Sequence, residues 1–252
     1  MKKITRIFFS PSGTTKKIVD KIATNFKYEK EICDLLHFND TKEFTDSDIV
    51  IVGMPVFSGR IPKTARNRLL KLTGNNTKAI AVANYGNAKV GDALIELVDI
   101  LKENNFDVIA AISTVSHHSI FNGVAVGRPD TADMEKINEF EQKCVEKLES
   151  GESLNSEVPG NRPYADYKQL PFIVSCDQNK CIFCYDCVTF CPENAIPDED
   201  PADVDLDICS RCTACIHICQ EDARSFTGEA FETKKPVFES ENSERKEVEL
   251  YL

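Results

Sequence analysis

Two cysteine runs constrain this 252-residue chain more than anything else in it. The first reads Cys181-Ile182-Phe183-Cys184-Tyr185-Asp186-Cys187-Val188-Thr189-Phe190-Cys191-Pro192. Its spacing returns in Cys209-Ser210-Arg211-Cys212-Thr213-Ala214-Cys215-Ile216-His217-Ile218-Cys219-Gln220. C-x2-C-x2-C-x3-C written twice is the pattern that holds a pair of cubane iron–sulfur clusters. Three thiolates separated by two residues line a tight loop and reach three irons of one cube. The fourth, three residues on, is expected to start a helical turn that points to the other cube. Cys181, Cys184, Cys187 and Cys219 are therefore expected to ligate one [4Fe-4S] cluster, and Cys209, Cys212, Cys215 and Cys191 the second. Structural zinc sites pair their cysteines in two short hooks, and disulfides belong to oxidising compartments. Neither needs three cysteines per hook with a fourth behind.

Eleven cysteines in all make metal ligation the natural use, and eight are taken by the two runs. Cys33 and Cys144 have no ligating partner at short spacing and read as small buried hydrophobes. Cys176, five residues before Cys181, reads as a redox bystander. The start, Met1 to Ser10, has a basic head but too short an apolar run for a secretory signal. No apolar run approaches the roughly 20 residues that cross a bilayer. The expected location is cytoplasmic, without membrane insertion. A net charge of −11 disfavours nucleic acid, whose binding footprint is basic. Between Phe172 and Glu229 eleven acidic residues face only Lys180, Arg211 and Arg224, so most of the negative charge sits around the cysteines. Such a surface is solvated in any case. On an electron carrier it also steers docking to basic partner faces.

Up to about Gly151 short apolar runs alternate with helical stretches. Strands are expected at Ile4–Phe9, Glu31–Leu36, Asp48–Gly53, Lys78–Ala83 and Asp107–Val115. Helices are expected at Thr14–Phe26, Lys63–Leu72, Gly91–Glu103 and Asp130–Glu149. Five strands alternating with helices imply a doubly wound α/β fold, a parallel sheet covered on both faces. Ligands of such sheets sit beyond the carboxyl ends of the strands.

Three loops at those ends are suggestive. Ser10-Pro11-Ser12-Gly13-Thr14-Thr15 runs from the first strand into a helix N-terminus, where free N–H groups and the dipole attract a phosphate. An ordinary N-cap would use the same residue types, but four hydroxyls around one glycine favour the phosphate. No lysine follows the glycine as a nucleoside-triphosphate loop requires, and G-x-G-x-x-G is absent from the chain. Pro55-Val56-Phe57-Ser58-Gly59 and Asn84-Tyr85-Gly86-Asn87 end the third and fourth strands. Each carries one aromatic that can wall a flat ring, beside a glycine that lets backbone approach it. Together the three loops describe a flavin mononucleotide (FMN) pocket. His118, after the fifth strand on the same edge, could hydrogen-bond the flavin or relay a proton; a polar loop residue satisfied by backbone fits the same position.

Residues 1–150 resemble a flavodoxin, on Ser10-x-Ser12-Gly13-x-Thr15. The cysteine runs resemble bacterial-type two-cluster ferredoxins, with Gln220 where that family expects proline. The whole chain is similar to the flavodoxin–ferredoxin fusion proteins of anaerobic bacteria. Supporting segments are Gly53 to Arg60, Tyr85-Gly86-Asn87, His118-Ser119, Gly127-Arg128-Pro129-Asp130 and Glu244 to Leu250. The resemblance implies a flavodoxin-like five-stranded sheet in the order 2-1-3-4-5, plus a small ferredoxin-like domain with two [4Fe-4S] clusters. It also implies FMN and low-potential electron transfer. Many flavodoxins stack a tryptophan on the flavin; this chain has none, which leaves Phe57 or Tyr85.

The expected organisation is a flavin domain over 1–150, a linker over 151–171 marked by Pro159-Gly160 and Pro171, a cluster domain over 172–228, and a charged tail over 229–252. Val248, Leu250, Tyr251 and Leu252 are expected to pack that tail back on a domain. The expected function is electron transfer between the clusters, FMN and redox partner proteins. Two other readings use the same residues. One is an FMN-dependent reductase of a quinone, enone or nitro compound; the other is a ferredoxin with an empty flavodoxin-like docking domain.

Overall fold

Ile49-Val50-Ile51-Val52 is buried along its whole length. That is what a strand covered on both faces requires, and it needs helices above and below. The computed structural model describes residues 3–252 and supplies them. In chain order the first part is β1 (Lys3–Phe8), α1 (Thr14–Ile22), β2 (Glu29–Asp34), β3 (Lys42–Glu43), β4 (Ile49–Pro55), α2 (Lys63–Leu69), β5 (Leu72–Thr73), β6 (Thr77–Tyr85), α3 (Ala93–Glu103), β7 (Phe106–Val115) and α4 (Thr131–Ser150). The second part is β8 (Ile173–Cys176), α5 (Asp186–Thr189), α6 (Ala214–Ile218), β9 (Arg224–Thr227), α7 (Glu229–Glu241) and β10 (Glu249–Tyr251).

The main sheet runs β2-β1-β4-β6-β7-β10. Its five parallel strands have the expected 2-1-3-4-5 order. The sixth, β10, comes from the tail and pairs antiparallel with β7, Leu250 opposite Ile112. It covers an edge that would otherwise expose unpaired backbone groups. One face is closed by α2 and α3, which bury Ala65, Leu69, Leu94, Leu97, Val98 and Leu101. The other is closed by α1 and α4, with Ile18, Val19, Ile22, Ile137 and Phe140. Each of these Leu, Ile, Val and Phe side chains contributes about 1.5–3 kcal/mol when fully buried. Cys33 lies in the first core and Cys144 in the second. Burial pushes the Cys33 thiol up to about 11 and the Cys144 thiol higher still.

Residues 159–167 are strapped along α3. Asp92, at its start, accepts from Asn161 N (2.9 Å) and Ala165 N (2.8 Å). Asp99, on the same helical face, accepts from Arg162 Nε (2.7 Å) and Tyr164 O–H (2.5 Å). Between them Glu96, fully buried, takes Arg60 in a two-pronged bond, Nε–Oε2 2.8 Å and Nη2–Oε1 2.7 Å. The Arg60 guanidinium lies 4.9 Å from the Tyr164 ring and 4.3 Å from the Tyr167 ring.

The cysteine-bearing part has its own ribbon, β8 antiparallel to β9. It shares a third core with the sheet domain: Phe121 and Val124, from the loop after β7, pack with Phe172, Val174, Phe226 and Phe231. The helical turns of this part lie one step earlier than the spacing suggested. They begin one residue before the third cysteine of each run and contain it, as α5 and α6, and Cys191 and Cys219 follow them instead of starting them. Left-handed residues Tyr185 (φ 64°) and Thr213 (φ 76°) open these helices and force the bend at that point.

Candidate functional site

The two cysteine loops fold as near copies. Positive φ recurs at matched positions: Phe183 and Arg211, Tyr185 and Thr213, Asn194 and Asp222. Alternation of right- and left-handed residues turns successive N–H groups inward and makes an anion-binding concavity, as at many iron–sulfur sites. After each fourth cysteine the same bond forms, Ala195 N–H to Cys191 Sγ and Ala223 N–H to Cys219 Sγ, both 3.3 Å. An N–H donated to sulfur favours the thiolate.

Two cavities result. Cys181, Cys184, Cys187 and Cys219 line the first, with Cys176, Ile182, Phe183 and Arg224 around them. Cys191, Cys209, Cys212 and Cys215 line the second, with Ile196, Arg211 and Thr213. The structure thus brings the eight cysteines together in the two groups of four that the spacing suggested. Among the described residues no three His, Cys, Asp or Glu side chains converge on a point that would hold a single ion; the thiols stand around cavity walls. Burial pushes the Cys215 thiol up to about 12 and raises Cys212 further. Polar atoms also lie buried without a partner at these walls: Arg224 Nε and Nη1 at the first cavity, Thr213 Oγ1 at the second. Thiols, inward N–H groups and orphaned donors together fit a sulfur-rich anionic group in each cavity.

At the carboxyl ends of the strands lies a second kind of site. A small cavity is lined by Pro11, Ser12 and Thr14 after β1, Pro55 to Phe57 at the end of β4, Asn84 to Gly86 at the end of β6, and Ser116 to Ser119 after β7. It continues past Val56, Phe57, Tyr85, Gly86 and His118 into a cleft of about 550 Å³, within the range of small-molecule sites. The helix α1 has no side-chain cap; its cap position is Gly13 at φ 78°, with open space where a side chain would stand. Ser10 Oγ instead accepts from Lys16 N (2.9 Å). The first-turn amides therefore face the loop, a geometry suited to a phosphate.

The expected binding residues divide by role. Ser12 and Thr14 line the cavity, with their hydroxyls 3.1 Å apart. Ser10, Gly13 and Thr15 shape the loop from behind; Asn84 Nδ2 donates to Thr14 Oγ1 (3.2 Å) and Thr15 Oγ1 (3.3 Å). Asn84 Oδ1 accepts from Ser116 O–H (2.8 Å), tying the β1, β6 and β7 loops together. Pro55, Val56, Phe57, Gly59, Tyr85, Gly86 and His118 all line the small cavity, the cleft or both. Burial pushes the Tyr85 phenol up to about 12. Asn87 lines neither: its side chain donates to Asn242 O (2.9 Å) and Glu244 O (2.8 Å) and accepts from Lys246 N (3.0 Å). It anchors the tail instead, from a left-handed backbone position (φ 61°) two residues past the end of β6.

His118 accepts at Nδ1 from Ile120 N and Phe121 N, both 3.1 Å. Burial, aided by His117, lowers its pKa to about 4. It is a neutral imidazole, and the two bonds to Nδ1 put its proton on Nε2. Several lining residues carry no mark in their own stretch of sequence. Tyr167 comes from the segment strapped on α3, Phe238 from α7, and Ile208, Ser210 and Arg211 from the second cysteine loop. Only the fold brings them to the cleft.

The sequence model of the family described as "Flavodoxin domain" matches residues 7–88, and that of the "4Fe-4S binding domain" matches residues 177–196. Pyruvate synthase subunit PorD of Methanocaldococcus jannaschii is 37% identical over 49 residues, covering 19% of this chain and 57% of that protein. The subunit of the same name from Methanothermobacter marburgensis is 41% identical over 49 residues, covering 19% and 54%. The chain thus spans little more than half the length of the curated relatives it matches. Among solved structures, oxidised flavodoxin 1 from Bacillus cereus aligns over 57% of this chain and 97% of its own, with 18% identity and a TM-score of 0.42. Among the described residues no helix is long and apolar enough to cross a membrane. This chain therefore carries a flavodoxin domain at its N-terminal end and a ferredoxin-type 4Fe-4S-binding segment at its C-terminal end.

Proposed function

We propose that the protein transfers electrons between two [4Fe-4S] clusters and one FMN, and exchanges them with a partner oxidoreductase. One observation carries this reading. Cys212, in the wall of the second thiol cavity, also lines the cavity of Ser12 and Thr14, and Cys209 lines both the second thiol cavity and the cleft. The two sites share a wall.

Cys181, Cys184, Cys187 and Cys219 would hold the first cluster, and Cys191, Cys209, Cys212 and Cys215 the second. Ser12, Thr14 and the first-turn amides of α1 would take the phosphate of FMN. Phe57 and Tyr85, with Val56 and Gly86, would flank its ring, and His118 would offer its Nε2–H at the rim. When bound, clusters of this type exchange single electrons and a flavin takes one or two, so the pair converts between the two kinds of chemistry. The remaining work belongs to the chain. Arg211 is buried and binds Phe172 O, Leu206 O and Cys209 O, which fixes the loop between the second cavity and the cleft. Ile208, Cys209, Ser210 and Arg211 of the cysteine module form one wall of the cleft. The outward-facing first cavity is different. Cys184 is exposed there, and Ile182 (64%), Phe183 (50%) and Tyr185 (43%) form an apolar collar around it. That collar is the surface offered to a redox partner, with exposed Asp177, Glu221 and Asp222 nearby to speed encounter with a basic face.

The test is anaerobic purification with iron, sulfide and flavin quantitation, then stopped-flow reduction. About eight irons and one FMN per chain are expected, with flavin reduced only after the clusters. Eight irons without tight FMN binding would overturn the reading. So would flavin reduction that proceeds unchanged in a Cys212→Ser variant lacking the second cluster.

A further inference from the structure

We propose that Arg224 distinguishes the two clusters, donating from its buried guanidinium to sulfur in the first cavity and holding that cluster at the higher reduction potential. This rests on the two-cluster reading above.

Arg224 is only 3% exposed, and it lines the first cavity with Cys181, Cys184, Cys187 and Cys219. Burying a charge is costly unless it is paired and hydrogen-bonded. Yet among the described residues no carboxylate forms a salt bridge with it. Its one protein acceptor is Pro201 O, reached by Nη2. Nε and Nη1 are buried with no acceptor. An arginine left with free donors against a wall of four thiols calls for an anionic acceptor in that cavity. An iron–sulfur cube with four thiolates is such an acceptor.

The internal repeat supplies the comparison. Arg224 stands five residues after Cys219; five residues after Cys191 stands Ile196, which lines the second cavity. The local frame is the same in both halves, since Ala223 N–H and Ala195 N–H make matching 3.3 Å bonds to their cysteines. One architectural position therefore carries a cation lining the first cavity and an isoleucine lining the second; the Arg224 charge also reaches the Cys215 thiol, but its free donors lie in the wall of the first cavity. One-electron reduction adds a negative charge to a cluster and moves no proton. A cation with hydrogen bonds to sulfur stabilises the reduced form and raises its potential. Added electrons then rest on the outward-facing cluster, beside the apolar collar.

The experiment is a dithionite titration of the anaerobically purified full chain, followed by electron paramagnetic resonance and gated on iron content. The resonance altered by Cys184→Ser marks the first cluster. Arg224→Gln is expected to shift that cluster's midpoint down toward the other, and Arg224→Lys, which keeps the charge, to restore most of the shift. Unmoved midpoints in an eight-iron Arg224→Gln protein would overturn the proposal, as would equal shifts in both variants. Where the glutamine variant fails to keep its iron, wild-type protein carrying arginine labelled with 15N in the guanidinium answers the question. A 15N coupling on the first cluster's resonance that disappears in Arg224→Lys supports the assignment, and no coupling overturns it. Wild-type iron at four or fewer per chain would overturn the two-cluster reading, and this assignment with it.

Discussion

The rings of Phe121 and Phe238 are stacked, with centroids 4.2 Å apart and planes 27° from parallel. Phe121 belongs to the loop after β7 and Phe238 to α7. Phe121 also meets Phe172 and Phe231, each at 5.9 Å. The sheet domain thus reaches into the core of the cysteine module, and the stacked pair Phe121 and Phe238 lines the cleft between them.

Phe121→Ala removes the centre of that aromatic cluster and is expected to cost about 3–5 kcal/mol. In the wild type, urea unfolding followed by circular dichroism and by cluster absorption should give coincident midpoints. In the variant, cluster absorption is expected to bleach first, because the module loses its anchor while the sheet keeps its two cores. Coincident midpoints in the variant would refute this.

Glu96 is buried under Arg60, with Arg66 Nε 3.5 Å away and Tyr167 O–H donating at 3.1 Å. Glu96→Gln leaves the Arg60 cation buried without its partner, a change that typically costs about 3–5 kcal/mol. Asp99→Asn serves as the contrast, since its partner Arg162 is 59% exposed and such pairs contribute about 1 kcal/mol or less. Denaturant midpoints of the two variants should separate accordingly. Similar midpoints would show that the strap along α3 is not held by the buried pair.

The sheet was legible because its strands are near-continuous apolar runs, and the ligand groups were legible because cysteine spacing is rigid. Ile49 to Val52 and the paired C-x2-C-x2-C-x3-C runs carry their outcome locally. The tail does not. Pro236 sits inside α7, where its missing N–H and ring normally argue against helix. The helix forms because Phe231 and Phe238 dock on Phe121. β10 spans only three residues and exists by pairing with β7. Asn87 read as a cleft residue from its place after β6, yet its amide is taken by the tail, more than 150 residues away. Arg224 looked like ordinary charge in an acidic region; its burial and orphaned nitrogens are tertiary facts.

Gly86 permits the close approach of His118. A Cβ at position 86 would stand 2.5 Å from His118 Cδ2 and 2.7 Å from Cγ. Both residues line the cleft, so Gly86→Ala must push the imidazole out of place, at a cost of about 1–3 kcal/mol. FMN binding to the variant, read by quenching of flavin fluorescence, is expected to weaken about tenfold or more, 1.4 kcal/mol being a factor of ten. Unchanged affinity would place the flavin ring elsewhere than against Gly86.

His118 also gives the protein a calculable response to acid. Burial depresses its pKa from 6.5 to about 4 in the folded chain. Between those values the unfolded chain binds a proton that the folded chain does not, so acid favours unfolding. The stabilising contribution is therefore fully present above pH 6.5, falls by up to about 1.4 kcal/mol per pH unit below it, and is lost as pH approaches 4. His118→Asn removes the titration while keeping an acceptor for Ile120 N and Phe121 N, the two bonds now made by Nδ1. Anaerobic urea unfolding at pH 7.5 and 5.5 makes the comparison. Wild-type protein is expected to lose about 1 kcal/mol more than the variant over that interval. Equal losses would mean that the imidazole is solvated in the folded protein and that its neutral Nε2–H is not held at the cleft.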